Sequence, residues 1–275
     1  MNSRYFGLLP IVVLLIGLFF AISSYYPEQN LPRNLVFELS APYSSALSLF
    51  LSISALIAAY FFGRGFLSSG LYNLAALGSA SFILGSGFLL SQILGSAPFG
   101  GPNELTGISS MVFLLSGLLF AGSETLSLLG SVQRVARTRI ALLAAYTSGI
   151  ALVLAMVLLV ETHSLPIFFI AGTGPTPFRE GLLGGAAILY AYSSVVLMRD
   201  YLISRESVLF WFSLGITSIT VGFLSAFLGQ LPDGPFSWLG RIAAAIGGIY
   251  LLAAIMTAYR REGSGRNSGP RLPAV

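Results

Sequence analysis

Between residues 5 and 259 the chain is a succession of apolar runs, each near the length at which a helix crosses a bilayer. Hydrocarbon about 30 Å thick is spanned by roughly 20 apolar residues. Backbone groups cannot be left unpaired there, so only helices or closed barrels cross it. Uncharged runs at 5–27, 39–63, 140–160, 181–198, 207–232 and 242–259 meet the length requirement. The stretch 65–103 is too long for one span, and the Gly/Pro-rich "GSAPFGGPN" ends its helix near Leu94. A further run at 105–123 brings the expected total to eight transmembrane helices in an all-α integral membrane protein. Arg4 precedes the first run as it would in a signal peptide. That run is longer than the usual core of about 7–15 residues, and more membrane segments follow, so it reads as a retained span.

The arginines orient the bundle. Odd-numbered connections carry Arg33, Arg179 and Arg241, and the opposite side carries the other eleven of fourteen, from Arg4 to Arg271. Under the positive-inside rule both termini are expected to be cytoplasmic in a multi-pass cell-membrane protein. Charged residues make up 9% of the chain against about 25% in soluble proteins, so the net charge of +4 reports topology rather than nucleic-acid binding. The lipid bilayer is the one partner composition implies.

Composition also removes chemistries. Cysteine is absent, which excludes disulfides, thiolate metal sites and cysteine nucleophiles. His163 is the single histidine, so histidine-rich metal centres are excluded within one chain. All basic residues are arginine, and a retinal Schiff base needs a lysine amine. No phosphate-binding glycine loop, metal-ligand spacing or intramembrane acid pair occurs, so no catalytic, cofactor or metal residue is assigned. The chain reads as a non-enzyme.

Internal similarity points to a tandem repeat. "NLP" from Asn30 has a counterpart in "SLP" from Ser164, and "APY" ending at Tyr43 in "TPF" ending at Phe178. "RGFLSS" from Arg64 matches "RDYLIS" from Arg199, and "LGSASFILG" from Leu77 matches "LGITSITVG" from Leu214. "VFLLSG" from Val112 matches "IYLLAA" from Ile249. The offset drifts only from 134 to 137 residues and the order is kept. The expected organisation is two like-oriented four-helix halves, residues 1–133 and 134–259, followed by a disordered basic tail, 260–275.

The repeat sets Arg241 against Glu104, so a pairing at the outer mouth is expected, with Asp233 or Glu161 as substitutes. The competing account is an arginine reaching the headgroups beside Trp238. Gly240, Ala244 and Gly248, like Ala243 and Gly247, recur at four-residue spacing, a small-residue face for close helix packing. Uncharged polar groups inside spans are Asn73, Gln92, Tyr146, Tyr190 and Tyr192. They line a ligand cavity or form interhelical hydrogen bonds, each worth about 0.6 kcal/mol. Glu124 lies near the inner end of the fourth run, where a headgroup-level ion pair with an arginine is expected. "IFFIAG" is too short to span and is expected to fold onto the bundle or dip into the interface. Together with the first long loop it is a candidate cap for a cavity between the halves.

The last two spans resemble the multi-helix membrane sensory region that precedes PAS, histidine-kinase or cyclase modules in prokaryotic signalling proteins. The pattern W-x-G-R-x-x-Q-Y-x-G-G-x-Y-L-L is matched by Trp238, Gly240, Arg241, Gly247, Gly248, Tyr250, Leu251 and Leu252, with Ala244 and Ala245 in place of Q-Y. "FWFSLG" from Phe210 is similar to the opening of the penultimate helix in such regions. The resemblance implies a signal-input module that answers a small or lipophilic ligand or the membrane state. "RREGSGRNSGPRLPAV" is too short for an output module, so the expectation is either a separate cytoplasmic signalling protein as partner or an output module lost or cut away, with a homodimer as one arrangement. Rival readings are a small-solute transporter or channel and an accessory subunit of a membrane complex.

Overall fold

The computed structural model describes residues 3–23, 37–96, 102–128, 134–162, 164–170, 174–229 and 234–267. Among these residues eight helices follow one another: α1 (Ser3–Ser23), α2 (Phe37–Ser69), α3 (Tyr72–Ser96), α4 (Pro102–Leu128), α5 (Thr138–Glu161), α6 (Pro177–Ser204), α7 (Ser207–Leu228) and α8 (Pro235–Asn267). Seven are long and apolar enough to cross a membrane; in α1 the corresponding apolar stretch is the shorter Gly7–Ser23. Two two-residue strands, β1 (Phe169–Ile170) and β2 (Gly174–Pro175), pair antiparallel between α5 and α6.

Three boundaries differ from the sequence reading. The second helix does not stop at Gly63; it continues past the exposed Arg64 to Ser69, and the third begins at Tyr72 rather than near 65. The break falls at Gly70, whose φ of +71° suits glycine alone at little cost. A bridge between Leu71 and Arg134 ties that turn to the chain ahead of α5. At the other end α8 runs on to Asn267, so the beginning of the segment expected to be disordered is helical.

Helix α7 forms the centre of the bundle, with 67% of its apolar window buried, whereas α5 lies at the edge with 17%. The outward faces of α5 and α1 carry exposed Leu143, Leu158, Leu9, Val13 and Phe19, the surface expected of lipid-facing helices. Adjacent helices pack as α2 on α3, α3 on α4, α6 on α7 and α7 on α8. Between the sequence halves, α4 packs on α6 and α2 on α8; α5 leans on α3 and α4, and α1 on α7 and α8. Tyr250 donates a hydrogen bond to the Gly7 carbonyl at 2.6 Å, and Leu239 packs at Gly17, so α1 runs antiparallel to α8.

The most extensive helix contact is α7 with α8. A Cβ on Gly222 would lie 3.1 Å from the Gly240 carbonyl oxygen, and one on Gly247 would lie 3.1 Å from that of Gly215. Between these points the Ser218 hydroxyl donates to the Ala243 carbonyl at 2.7 Å. The small-residue face of α8 therefore meets a matching face on α7, with backbone against backbone. Most other buried hydroxyls, such as those of Ser52, Ser79, Ser193 and Ser225, turn back to a carbonyl one turn earlier on their own helix. That is the local solution for a hydroxyl without water.

A column of aromatic rings fills the middle of the bundle. Phe88 packs on Phe113, Phe113 on Phe223, Phe223 on Tyr190, Tyr190 on Phe120, Phe120 on Phe212 and Phe212 on Phe62, with centroids 4.4–6.2 Å apart. Its members come from α2, α3, α4, α6 and α7, so it joins both halves of the sequence.

Candidate ligand cavity at one end of the bundle

Above the Phe113–Phe223 end of the column lies a cavity of about 260 Å³. It sits at the end where α4, α6 and α8 begin and α3 and α7 finish, the end of the odd-numbered connections. Leu51, Phe88, Phe113, Ile219 and Phe223 form its apolar part. Its polar part is made by Gln92 on α3, Thr106 and Ser109 on α4, Arg179 on α6 and Arg241 on α8, with Ser48 and Ser237 at the margin.

Local sequence explains this arrangement. Each of α4, α6 and α8 starts on a proline, Pro102, Pro177 or Pro235, the residue that tolerates the first helical position because its missing N–H has no partner there anyway. The prolines set where each helix starts, and Leu105, Thr106, Arg179 and Ser237 in the early turns then reach the cavity. Gly222 and Gly240 also line it, so the close α7–α8 contact forms part of its wall.

Among the described arginine side chains, Arg64, Arg134, Arg137, Arg139, Arg199, Arg205 and Arg260 are exposed, and only Arg179 and Arg241 are partly buried. Both line the cavity. The Arg241 guanidinium lies over the Trp238 ring, 5.3 Å from its centroid, a cation–π contact worth about 0.5–1 kcal/mol or more when desolvated. The Arg179 Nε is buried with no hydrogen-bond partner among the described residues. Glu180, its chain neighbour, acts on it electrostatically but does not line the cavity.

The residues singled out from sequence are thus divided. Gln92, Arg241 and Trp238 meet at the cavity or its rim. The Glu104 side chain and Asp233 lie outside the described residues; Glu104 occupies the first turn of α4, next to the lining residues Leu105 and Thr106. Glu161 is exposed at the end of α5. Tyr146 donates to the Ala59 carbonyl at 2.6 Å and stacks on Phe82 at 5.0 Å, which docks α5 onto α2 and α3. Tyr190, fully buried, shares a 2.7 Å hydrogen bond with Ser116, and Tyr192 shares one of 3.0 Å with Thr125. These three tyrosines join helices and do not line the cavity. Asn73 sits in the first turn of α3, at the opposite end, with its Oδ1 buried and unpartnered among the described residues.

Arg179 was not anticipated as a site residue, because its place after a proline–aromatic step marked it only as a topology signal. The signal that finds it is its position: a cation within the first turn of a helix, where the dipole disfavours positive charge. Glu180 in the same first turn supplies part of the compensation.

Two other expectations change. Glu124 is 5% exposed, and the charge that acts on it among the described residues is Asp200, a repulsive neighbour, rather than an arginine. It is buried near the end of α4, beside Asp200 near the end of α6. The described part of "IFFIAG", Ile167 to Ile170, folds onto the bundle: Phe168 is buried over Gly107, and its N–H donates to Asn103 Oδ1 at 2.8 Å. Phe168 joins a cluster with Ile83, Ile108, Val112 and Val153, so this stretch seals α4 against α5, and none of its described residues lines the cavity. Of the other long loop, "PEQNLPRNLVFELSAP", residues 37–42 form the start of α2 and the rest lie outside the described residues, as does His163. No family model, curated protein or solved structure matches the chain.

Proposed function

We propose that the protein is a membrane signal-input module whose stimulus is a small ligand bound in the cavity at the α4, α6 and α8 starts. One observation carries this reading: the cavity is walled jointly by α2, α3 and α4 from one half of the sequence and α6, α7 and α8 from the other. An occupant there touches both halves, so one that fits one packing of them better than another shifts the equilibrium between the two, which is what a sensor requires. The volume of about 260 Å³ suits a molecule below drug size. Helix α8 starts at the cavity and runs on to Asn267, which gives a continuous rigid element from the ligand toward the far end.

Duplication of a four-helix unit is part of the proposal. Exchanging each helix with the one four places later maps the α2–α3, α3–α4, α4–α6, α3–α5 and α4–α5 contacts onto α6–α7, α7–α8, α8–α2, α7–α1 and α8–α1, all of them present. This supports two like-facing halves about an axis along the bundle, with both termini cytoplasmic and the cavity on the outer side. The aromatic column from Phe113 and Phe223 to Phe62 packs the space below the cavity with rings, which favours a sensor over a conducting pore.

The test is thermal unfolding of the purified protein in nanodiscs with a panel of small acids, bases and neutral lipophiles. At least one class raises the melting temperature, and Ser109→Phe, which fills the cavity, removes the shift. Spin labels on Ile93→Cys and Phe227→Cys, in a chain with no native cysteine, report a distance change on binding. A panel without any Ser109→Phe-sensitive shift overturns the reading.

A further inference from the structure

We infer that the end of the bundle opposite the cavity binds an anionic phospholipid, its phosphate among Arg64, Arg134, Arg137 and Arg139 where α2 ends and α5 begins. The inference is independent of the cavity and of the function proposed for it.

Arg64 is far in sequence from the other three, and the fold brings them together. Gly70, at φ +71°, turns the chain out of α2, and its carbonyl accepts the Val135 N–H at 3.0 Å. The Leu71–Arg134 bridge extends that contact. Thr138 Cγ2 lies 3.6 Å from where a Cβ on Gly70 would stand, and Leu142 Cδ1 3.5 Å from one on Gly63. The last turns of α2 therefore lie along the first turns of α5, with Arg64 next to Gly63 and Arg139 next to Thr138. Backbone contacts, not a loose tail, present the cluster.

Its charge is not neutralised by the chain. All four side chains are exposed and form no ion pair among the described residues. No Asp or Glu occurs between Glu38 and Glu104, nor between Glu124 and Glu161. Glu124 itself is buried, and the charge acting on it is Asp200. The α6–α7 turn at the same end differs: Arg199 and Arg205 are accompanied there by Asp200 and Glu206, a balanced set. A topology signal places arginines on this side of the membrane, but it does not gather the whole excess at one of two turns. Like charges held close together repel, and a phosphate among them relieves that repulsion.

The surroundings select a lipid as the carrier of that phosphate. Tyr60, Arg64 and Leu67 follow at spacings of four and three, so they share one face of α2, and all are exposed. Arg139 and Leu143 share a face of α5 in the same way, with exposed Ile140 beside them. Tyr60 and Leu143 lie one turn nearer the middle of the bundle than Arg64 and Arg139. An occupant with its anionic head at the arginines therefore has an apolar surface for its chains directly below. A guanidinium offers a phosphate two parallel hydrogen bonds. An acidic peptide would use the charges and leave the apolar side chains uncovered. Basic clusters at a membrane surface attract anionic lipid by about fivefold in affinity per arginine.

Native mass spectrometry of the full chain in neutral detergent tests this, with phosphatidylglycerol and phosphatidylcholine titrated separately and bound lipids counted. The first phosphatidylglycerol is expected to bind at least about fivefold more tightly than the first phosphatidylcholine, the worth of one arginine. Raising the salt concentration shrinks the difference. Replacing Arg137→Gln together with Arg139→Gln lowers the phosphatidylglycerol affinity by at least about fivefold. Arg199→Gln with Arg205→Gln removes the same charge from the balanced turn and leaves that affinity unchanged. Arg137→Lys with Arg139→Lys keeps most of it, because the charge stays. Melting curves identify any variant that fails to fold, and Arg64→Gln then takes the place of a failed Arg137→Gln, Arg139→Gln pair. Equal binding of the two lipids overturns the inference. So does an equal loss in the Arg199→Gln, Arg205→Gln variant, which would mean diffuse attraction to the whole basic end. A poly-glutamate peptide that binds through Arg137 and Arg139 while phosphatidylglycerol binds no better than phosphatidylcholine overturns it in favour of an acidic protein partner.

Discussion

Replacing Gly222 by alanine tests how the centre of the bundle is held together. The new Cβ would sit 3.1 Å from the Gly240 carbonyl oxygen across the α7–α8 interface, with Ala243 Cβ 3.7 Å away. A carbon–oxygen approach of that kind is tight, and the neighbour is backbone, which cannot rotate aside. The helices must therefore move apart by a few tenths of an ångström. Such a gap weakens dispersion along the whole contact and lengthens the Ser218–Ala243 hydrogen bond from 2.7 Å. Overpacking of this type costs about 1–3 kcal/mol. The usual gain of about 1 kcal/mol for alanine over glycine in a helix offsets little of it, because helices unpacked in a membrane are already formed. The net prediction is a loss of about 1–2 kcal/mol for Gly222→Ala, and a similar loss for Gly240→Ala, whose Cβ would lie 3.1 Å from the Gly222 carbonyl. Because the two glycines face each other, the double variant costs less than the sum. Reversible unfolding in mixed micelles measures the effect, with Gly122→Ala and Gly181→Ala as controls, since nothing lies within 4 Å of a Cβ at either position. If Gly222→Ala and Gly240→Ala are no more costly than those controls, close backbone approach is not what holds α7 to α8.

Three further outcomes are expected. Tyr190→Phe removes the 2.7 Å bond to Ser116 but leaves that hydroxyl its 3.1 Å bond to the Phe113 carbonyl, so the loss is about 1 kcal/mol or less; Tyr190→Ala opens the aromatic column and costs about 3–5 kcal/mol in the same unfolding assay. Asn103→Ala strips the acceptor from the Phe168 N–H and lowers stability by about 1–2 kcal/mol, read also as faster proteolysis between α5 and α6. Glu124→Gln removes a repulsive neighbour of Asp200 from a site 5% exposed and leaves the melting temperature unchanged or higher, whereas a clear drop would mean that Glu124 has an attractive partner.

How much was legible beforehand follows from the range of the forces involved. Hydropathy acts segment by segment, so the apolar runs can be read off the chain. The small-residue face of α8 was legible for the same reason, since spacing of four places Gly240, Ala244 and Gly248 on one side before any partner is known. The partners were not legible: nothing local says that Gly240 meets Gly222 of α7, while Gly248, on the same side by spacing, meets Phe50 and Ser54 of α2.

The site divides along the same line. Arg241, Trp238 and Gln92 stood out because polar residues are rare in apolar runs, but Tyr146, Tyr190 and Tyr192 stood out equally and proved to join helices. A tyrosine hydroxyl in a span needs a partner, and sequence cannot say whether that partner is ligand, serine or carbonyl. Sequence by itself determined that these segments are apolar helices with a few charged ends, because helix formation in lipid is an intrasegment affair of backbone hydrogen bonds. Only the packing of α2, α3 and α4 against α6, α7 and α8 brought Arg179 and Arg241 to one cavity and set Glu124 beside Asp200. Those are meetings of residues far apart in the chain, and shape complementarity between finished helices decides them.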